Sequence, residues 1–141
     1  FAIELLKSLI KKIGSDKIMV RISPSRMMGG LYEWPDKMTT LEKLLKEFDL
    51  SGLRQLDISC ANSNYFDTSG KIIKQIKKFW PHILIGGASL TIKEAENEIN
   101  SGYLDMVTWG RAILANPNFV KLIEKNLPLK EFNDKMRESL I

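Results

Sequence analysis

A single cysteine, Cys60, and a single histidine, His82, remove two broad classes of chemistry at the outset. One thiol cannot build a disulfide framework, and it suits a reducing compartment, so a cytoplasmic setting is expected. With one thiol and one imidazole, no metal-ligand spacing appears, and no metal is expected. No apolar run approaches the ~20 residues needed to cross a bilayer, so no membrane partner is expected. The chain has no Walker motif and no G-x-G-x-x-G after a strand. Charge of one sign is not dominant either: the net charge is +4. Its lysines are spread along helical faces, which reads as a solvated surface rather than a nucleic-acid stripe. A starting methionine is also missing, and the first residues already lie inside an amphipathic pattern. The chain therefore reads as a piece of something longer.

What is present is an alternating pattern. The 141 residues are 44% hydrophobic, enough to core one ordinary domain. Ile3, Leu6, Ile10 and Ile13 recur at helical spacing, and Gly14 follows as a stop. Lys17–Ser23 reads as a strand closed by Pro24. Its Arg21 interrupts an apolar run, which is costly unless the charge has a partner, for instance a neighbouring carboxylate. Ser25 to Lys37 is a connection without periodicity, carrying Gly29, Gly30, Tyr32 and Trp34; it is either a functional loop or plain surface. Thr39 and Glu42 have capping-box spacing ahead of a helix with Leu41, Leu44, Leu45 and Phe48 on one face, and Gly52 beyond it.

A second strand, Leu53–Cys60, leads into a polar loop with Asn62 and Asn64. Ile72, Ile73, Ile76 and Phe79 define a helix that Pro81 ends. The third strand, His82–Ile85, runs into Gly86-Gly87-Ala88-Ser89. Thr91 and Glu94 repeat the capping-box spacing, with Ile92, Ala95 and Ile99 as the expected buried stripe and Gly102 as the stop. The fourth strand begins near Tyr103 and ends in Gly110-Arg111, turning almost at once into a helix. Asn116 and Pro117 then look like the N-cap and first position of a helix carrying Phe119, Val120 and Ile123. The charged tail places Phe132, Met136 and Leu140 at spacing suited to a short helix.

Strand–helix alternation argues for a parallel sheet covered by helices, either an open doubly wound sheet or half of an eight-stranded barrel. In both, a ligand lies at the carboxyl ends of the strands, where Arg21 and Ser23, Ser59 and Cys60, Gly86 and Gly87, and Gly110 and Arg111 all fall. Glycine allows close backbone approach, and the arginine beside it offers a fork of donors for an anion. A glycine pair after one strand and Gly-Arg after the next suit a phosphorylated ligand. His82 stands at the opposite end of its strand, Cys60 reads as a small apolar filler, and Asp57 and Asp105 make no obvious acid–base pair.

The runs Val20-Arg21-Ile22-Ser23-Pro24, Leu56-Asp57-Ile58-Ser59, Ile85-Gly86-Gly87 and Asp105-Met106-Val107-Thr108-Trp109-Gly110-Arg111, followed by Leu114-Ala115-Asn116-Pro117, occur in order. Together they resemble the carboxyl-terminal half of the Old Yellow Enzyme family of FMN-dependent oxidoreductases. The resemblance covers nearly the whole chain, and Gly-Arg-x-x-x-x-Asn-Pro is its most specific part. It implies half of a TIM (β/α)8 barrel, strands five to eight with their helices, with residues 1–141 as the carboxyl-terminal half of an FMN-binding domain. It further implies that Arg21 contacts the pyrimidine edge of the flavin and steadies the negative charge that reduction places there. Gly110 and Arg111 would hold the phosphate, and Gly87 and Ala88 would add backbone contacts.

In the family, hydride passes from NADH or NADPH through the flavin to an activated alkene. The family's histidine pair and tyrosine proton donor belong to the amino-terminal half, so no catalytic residue is assigned here. The expected function is thus an ene-reductase-like oxidoreductase fragment that holds FMN. The alternatives are an inactive half-barrel module that binds a phosphorylated ligand, and a different phosphate-binding barrel enzyme. Open strand edges also lead us to expect self-pairing into a homo-oligomer.

Overall fold

The computed structural model describes residues 1–27, 29–61 and 63–140, so Asn62 of the polar loop lies outside the described residues. They form two compact units, divided after Thr108. In the first unit the order is α1 (Ala2–Ile13), β1 (Met19–Met27), β2 (Leu31–Glu33), α2 (Lys37–Leu50), β3 (Gln55–Ala61), α3 (Ser69–Ile76), β4 (Ile83–Gly87), α4 (Ile92–Asn100) and β5 (Met106–Thr108). The second unit holds α5 (Arg111–Ala115), α6 (Phe119–Glu124) and a closing 3₁₀ segment, Asp134–Leu140.

One sheet runs through the first unit in the order β2-β1-β3-β4-β5. β1, β3, β4 and β5 are parallel, and β2 pairs antiparallel with the end of β1. The register sets Arg21 beside Asp57, Asp57 beside Ile85, and Ile85 beside Met106. Successive side chains of a strand point to opposite faces, so two sets of residues separate cleanly. Leu56, Ile58, Leu84 and Gly86 face the helices; a Cβ on Gly86 would stand 2.6 Å from the Ile73 side chain on α3. The helices return Leu41, Leu45, Phe48, Ile72, Ile73 and Ile76, all buried. Trp80 is also fully buried, and its indole N–H donates to the Ile83 carbonyl at 3.0 Å. Opposite them, Met19, Arg21, Ser23, Ile83 and Met106 stand exposed on a face that carries no helix of this unit.

Several local expectations are corrected. The first strand does not stop at Pro24 but continues to Met27, because a register shift between Ile22 and Ser25 absorbs the proline. The proline carbonyl accepts the Trp34 amide at 3.0 Å, so part of the unpatterned connection is a hairpin rather than a loop. Gly29 and Gly30 supply its positive φ angles, 72° and 141°. α2 starts at Lys37, two residues before Thr39, and Asp36 precedes it in a left-handed conformation; no capping box forms at Thr39–Glu42. At α4 the box does form: Thr91 accepts from the Glu94 amide and Glu94 from the Thr91 amide.

α4 is rotated from the expected stripe. Ile99 is exposed and Glu98 is buried, because the Glu98 carboxylate accepts the Tyr65 hydroxyl at 2.7 Å and pairs with Lys74 at 3.3 Å. Asn116 is not the N-cap of the following helix but follows the end of α5; α6 begins at Phe119 after Asn118. Instead, its side chain donates to the carbonyls of Ala112 (2.9 Å) and Lys130 (3.0 Å) and accepts the Lys130 amide (2.9 Å). That buried amide ties the stretch at Lys130 to α5, so the asparagine is a clasp. The closing segment is 3₁₀ from Asp134 to Leu140.

Candidate functional site

The exposed sheet face and the carboxyl ends of its strands carry the polar chemistry. Arg21 lies on β1, and both Nε and Nη2 reach Asp57 Oδ2 on β3 at 2.6 Å. The carboxylate is fully buried while the guanidinium side chain is 54% exposed. A buried anion therefore clamps a cation whose remaining N–H groups are presented outward. One level higher, Ser23 and Ser59 share a hydrogen bond of 2.8 Å. Asp57 is thus the neighbouring carboxylate that Arg21 required. Its other oxygen, Oδ1, is buried without a hydrogen bond.

β4 ends in a tight crossing. A Cβ on Gly87 would meet the Thr108 carbonyl oxygen at 2.2 Å and its Oγ1 at 2.5 Å, so only glycine lets β4 and β5 approach this closely. Immediately after it, Ala88 and Ser89 both have left-handed backbones, with φ of 77° and 64°. Each such residue costs roughly 1–2 kcal/mol in an L-amino acid, and strained backbone of this kind gathers at ligand sites. Ser89 Oγ donates to the Ala88 carbonyl at 2.6 Å and helps hold the turn.

The preceding loop is braced from below. Burial first, and then the hydrogen bond and charge of Glu98, push the Tyr65 phenol well above its ordinary value, so it stays a neutral donor. Gly70 lies against this ring; a Cβ there would come within 2.6 Å of it. Ser63 and Thr68 share a 2.7 Å hydrogen bond, and Thr68 donates to the Asn64 carbonyl at 2.6 Å.

At the opposite, amino end of the strands the charges serve the fold. Burial pushes the Asp105 carboxyl up, but the Leu84 amide and Lys77 outweigh it and hold the group below its ordinary value. His82 lies here too, against Asp49 at 2.6 Å and near Arg54, and its hydrogen bond lowers the Asp49 carboxyl. Cys60 is buried.

In the second unit, Gly110 precedes α5 and Arg111 is its first residue. A Cβ on Gly110 would meet nothing within 4 Å, and its φ is −96°, so neither packing nor backbone conformation demands glycine there. Arg111 is exposed. Trp109 packs on Phe119 with ring centroids 5.2 Å apart. Of the expected site residues, Arg21, Gly87 and Ala88 belong to the first unit; Gly110 and Arg111 open the second.

Comparison with known proteins decides the family. Residues 1–130 match the model of the NADH:flavin oxidoreductase / NADH oxidase family. The chain belongs to that family. A 12-oxophytodienoate reductase-like protein of Solanum lycopersicum is 26% identical over 94% of this chain and 35% of its own length. A flavin mononucleotide-dependent alkene reductase described as probable, from Leishmania infantum, is 26% identical over 93% of this chain and 35% of its own length. Among solved structures, the old yellow enzyme from Trypanosoma cruzi superposes with a TM-score of 0.81 at 23% identity, over 94% of this chain and 35% of that one. Morphinone reductase superposes with a TM-score of 0.79 at 18% identity, over 96% of this chain and 36% of that one. This flavin-oxidoreductase chain thus spans about a third of the length of the relatives it matches, and its fold is a partial barrel. Its four parallel strands are half of the eight in a complete barrel.

Arg21 and Gly87 are expected from their place at strand ends, and Ala88 from the family resemblance alone. The left-handed backbone of Ser89 leaves no mark in composition, and Asp57 is not singled out in the sequence as the partner of Arg21. The register that joins those two strands could have flagged Asp57 once a charged strand residue needed a partner.

Proposed function

We propose that this chain carries one side of an FMN site in an ene-reductase-like oxidoreductase, with residues 1–141 forming the carboxyl-terminal half of the FMN-binding barrel domain. The observation that carries this reading is Arg21. It is a cation on the open sheet face, aimed by a buried carboxylate and still half exposed. Such a group suits the electron-rich pyrimidine edge of a flavin, where it would stabilise negative charge. Two features of the first unit support the reading, the outward-facing guanidinium donors and the two strained residues after β4; in the second unit, the glycine before Arg111 has open space where a side chain would be.

Arg111 would pair with the phosphate, with the Gly110 backbone allowing close approach. Gly87 and Ala88 would line the cofactor through main-chain atoms. FMN, when bound, supplies the hydride chemistry; the chain's own residues bind it, orient it and bias its charge. NADH or NADPH and an activated alkene are the partners proposed for the whole protein, in a cytoplasmic setting that the single thiol favours.

A second reading, a half-barrel that binds a phosphorylated ligand without redox chemistry, is favoured by one observation. Among the described residues, the four parallel strands carry no histidine or tyrosine to donate a proton, and Tyr32 on β2 lies under the Arg26 guanidinium, 5.0 Å from its ring centroid. Titration with FMN and with riboflavin, followed by flavin absorbance, separates the readings. FMN is expected to bind at least tenfold more tightly than riboflavin, and Arg111→Ala is expected to erase that preference. Anaerobic NADH or NADPH should then bleach the bound flavin. Binding of a sugar phosphate with no flavin binding would favour the second reading.

A further inference from the structure

Asp57 holds Arg21 with only one of its two oxygens. The Nε–H and Nη2–H groups of Arg21 both reach Oδ2 at 2.6 Å. The other oxygen, Oδ1, is out of water and accepts no hydrogen bond. The neighbours on the sheet explain why. Across the strands Asp57 is flanked by Arg21 on β1 and by Ile85 on β4, whose buried side chain brings no donor. Two residues along β3 on the same face, Ser59 shares its hydrogen bond with Ser23 instead.

A carboxylate that only had to grip an arginine would use both oxygens in a two-pronged pair. Here one oxygen takes both donors, and the other keeps its charge undispersed in an interior where little screens it. The guanidinium is screened differently. Its side chain is 54% exposed, so water shares its charge, whereas the carboxylate is fully buried. The pair is therefore unequal, and a ligand lying on Arg21 also feels the anion behind it.

We propose that Asp57 is a positioning residue that also acts as a counter-charge, lowering the redox potential of FMN held against Arg21. The inference rests on the flavin reading above and deepens it. Alone, Arg21 would favour the reduced cofactor, because reduction places negative charge at the pyrimidine edge. Asp57 opposes that preference while keeping the guanidinium aimed. The pair neither supplies nor removes electrons; it sets how firmly the bound flavin keeps them. With the counter-charge in place, electrons taken from a nicotinamide are more readily passed to the next acceptor.

Spectroelectrochemical titration of the FMN-loaded protein at fixed pH tests this. Asp57→Asn keeps an acceptor oxygen for Arg21 and discards the charge. It should favour reduced over oxidised FMN at least tenfold, a rise of about 30 mV in the midpoint potential of a two-electron couple. Ile85→Thr leaves the ion pair intact and sets a hydroxyl on the neighbouring strand beside the bare oxygen. It should raise the potential by a smaller amount, and it carries the test if the asparagine variant does not fold. A carboxylate that merely orients Arg21 gives the opposite result, since a loosened guanidinium leaves the potential unchanged or lowers it, as Arg21→Met should. An unchanged or lowered potential in folded variants that bind FMN overturns this inference alone. A wild-type protein that takes up no FMN overturns the flavin reading and this inference with it.

Discussion

The two faces of the central sheet differ although they are built from alternate residues of the same strands. On the helix side, Leu56, Ile58 and Leu84 meet Ile72, Ile73 and Ile76, and nearly every atom is out of water. On the open side stand Arg21, Ser23 and Ser59, with Met19, Ile83 and Met106 exposed around them. Strand alternation gives one segment two tasks, holding the fold through one set of side chains and presenting chemistry through the other. Asp57 crosses that division. It is polar, lies on the open side and is fully buried, so the site's charge depends on a group that the fold must shelter.

The largest effect should come from the helix side. Trp80→Ala removes a fully buried indole and is expected to cost about 3–5 kcal/mol in urea unfolding. Flavin affinity per folded molecule should stay the same, which separates the two faces directly. Next in size is Arg21→Met on the open side. It strands the buried Asp57 carboxylate, and unfolding should register a loss of about 2 kcal/mol. That is less than the 3–5 kcal/mol of a fully buried pair, because the guanidinium is half in water.

Arg111→Ala sharpens the contrast, since an exposed residue with no packing role should change stability by no more than about 0.5 kcal/mol. The proposed phosphate contact, by contrast, should be lost in a flavin titration. A further small effect, read in stability alone, lies at the amino end of the strands. The folded-state carboxyl of Asp105 is lowered, so its contribution is present above the ordinary value of 3.8 and is lost as pH falls through the lowered value. Asp105→Asn should therefore cost at most about 1 kcal/mol at neutral pH for a half-exposed pair. The gap to wild type should close on acidification, as followed by denaturant melts across pH.

Much of the fold was legible because its signals are local. The alternation of apolar strands and amphipathic helices, the capping box at Thr91–Glu94 and the Gly14 stop each depend on neighbours within a turn or two. What escaped depended on distant partners. Glu98 is buried because Tyr65 reaches it, and no periodicity within α4 could reveal that phase. The hairpin was hidden because Leu31, Tyr32 and Glu33 are all exposed and show no alternation. Asn116 followed by proline carried the local signature of a cap, but its amide found the Lys130 backbone instead. For the site, the residue types at strand ends were readable. The clamp between Arg21 and Asp57 needed the register of two strands separated by a helix.

Hydrogen exchange read by mass spectrometry, with and without FMN, tests the division of the two faces most directly. FMN should slow exchange in the peptides covering Gly87 to Leu90 and Trp109 to Ala112, and in β1 around Arg21, while α2 and α3 keep their rates. Protection confined to the helical side, or no change anywhere at saturating FMN, would contradict the assignment of the open face as the cofactor face.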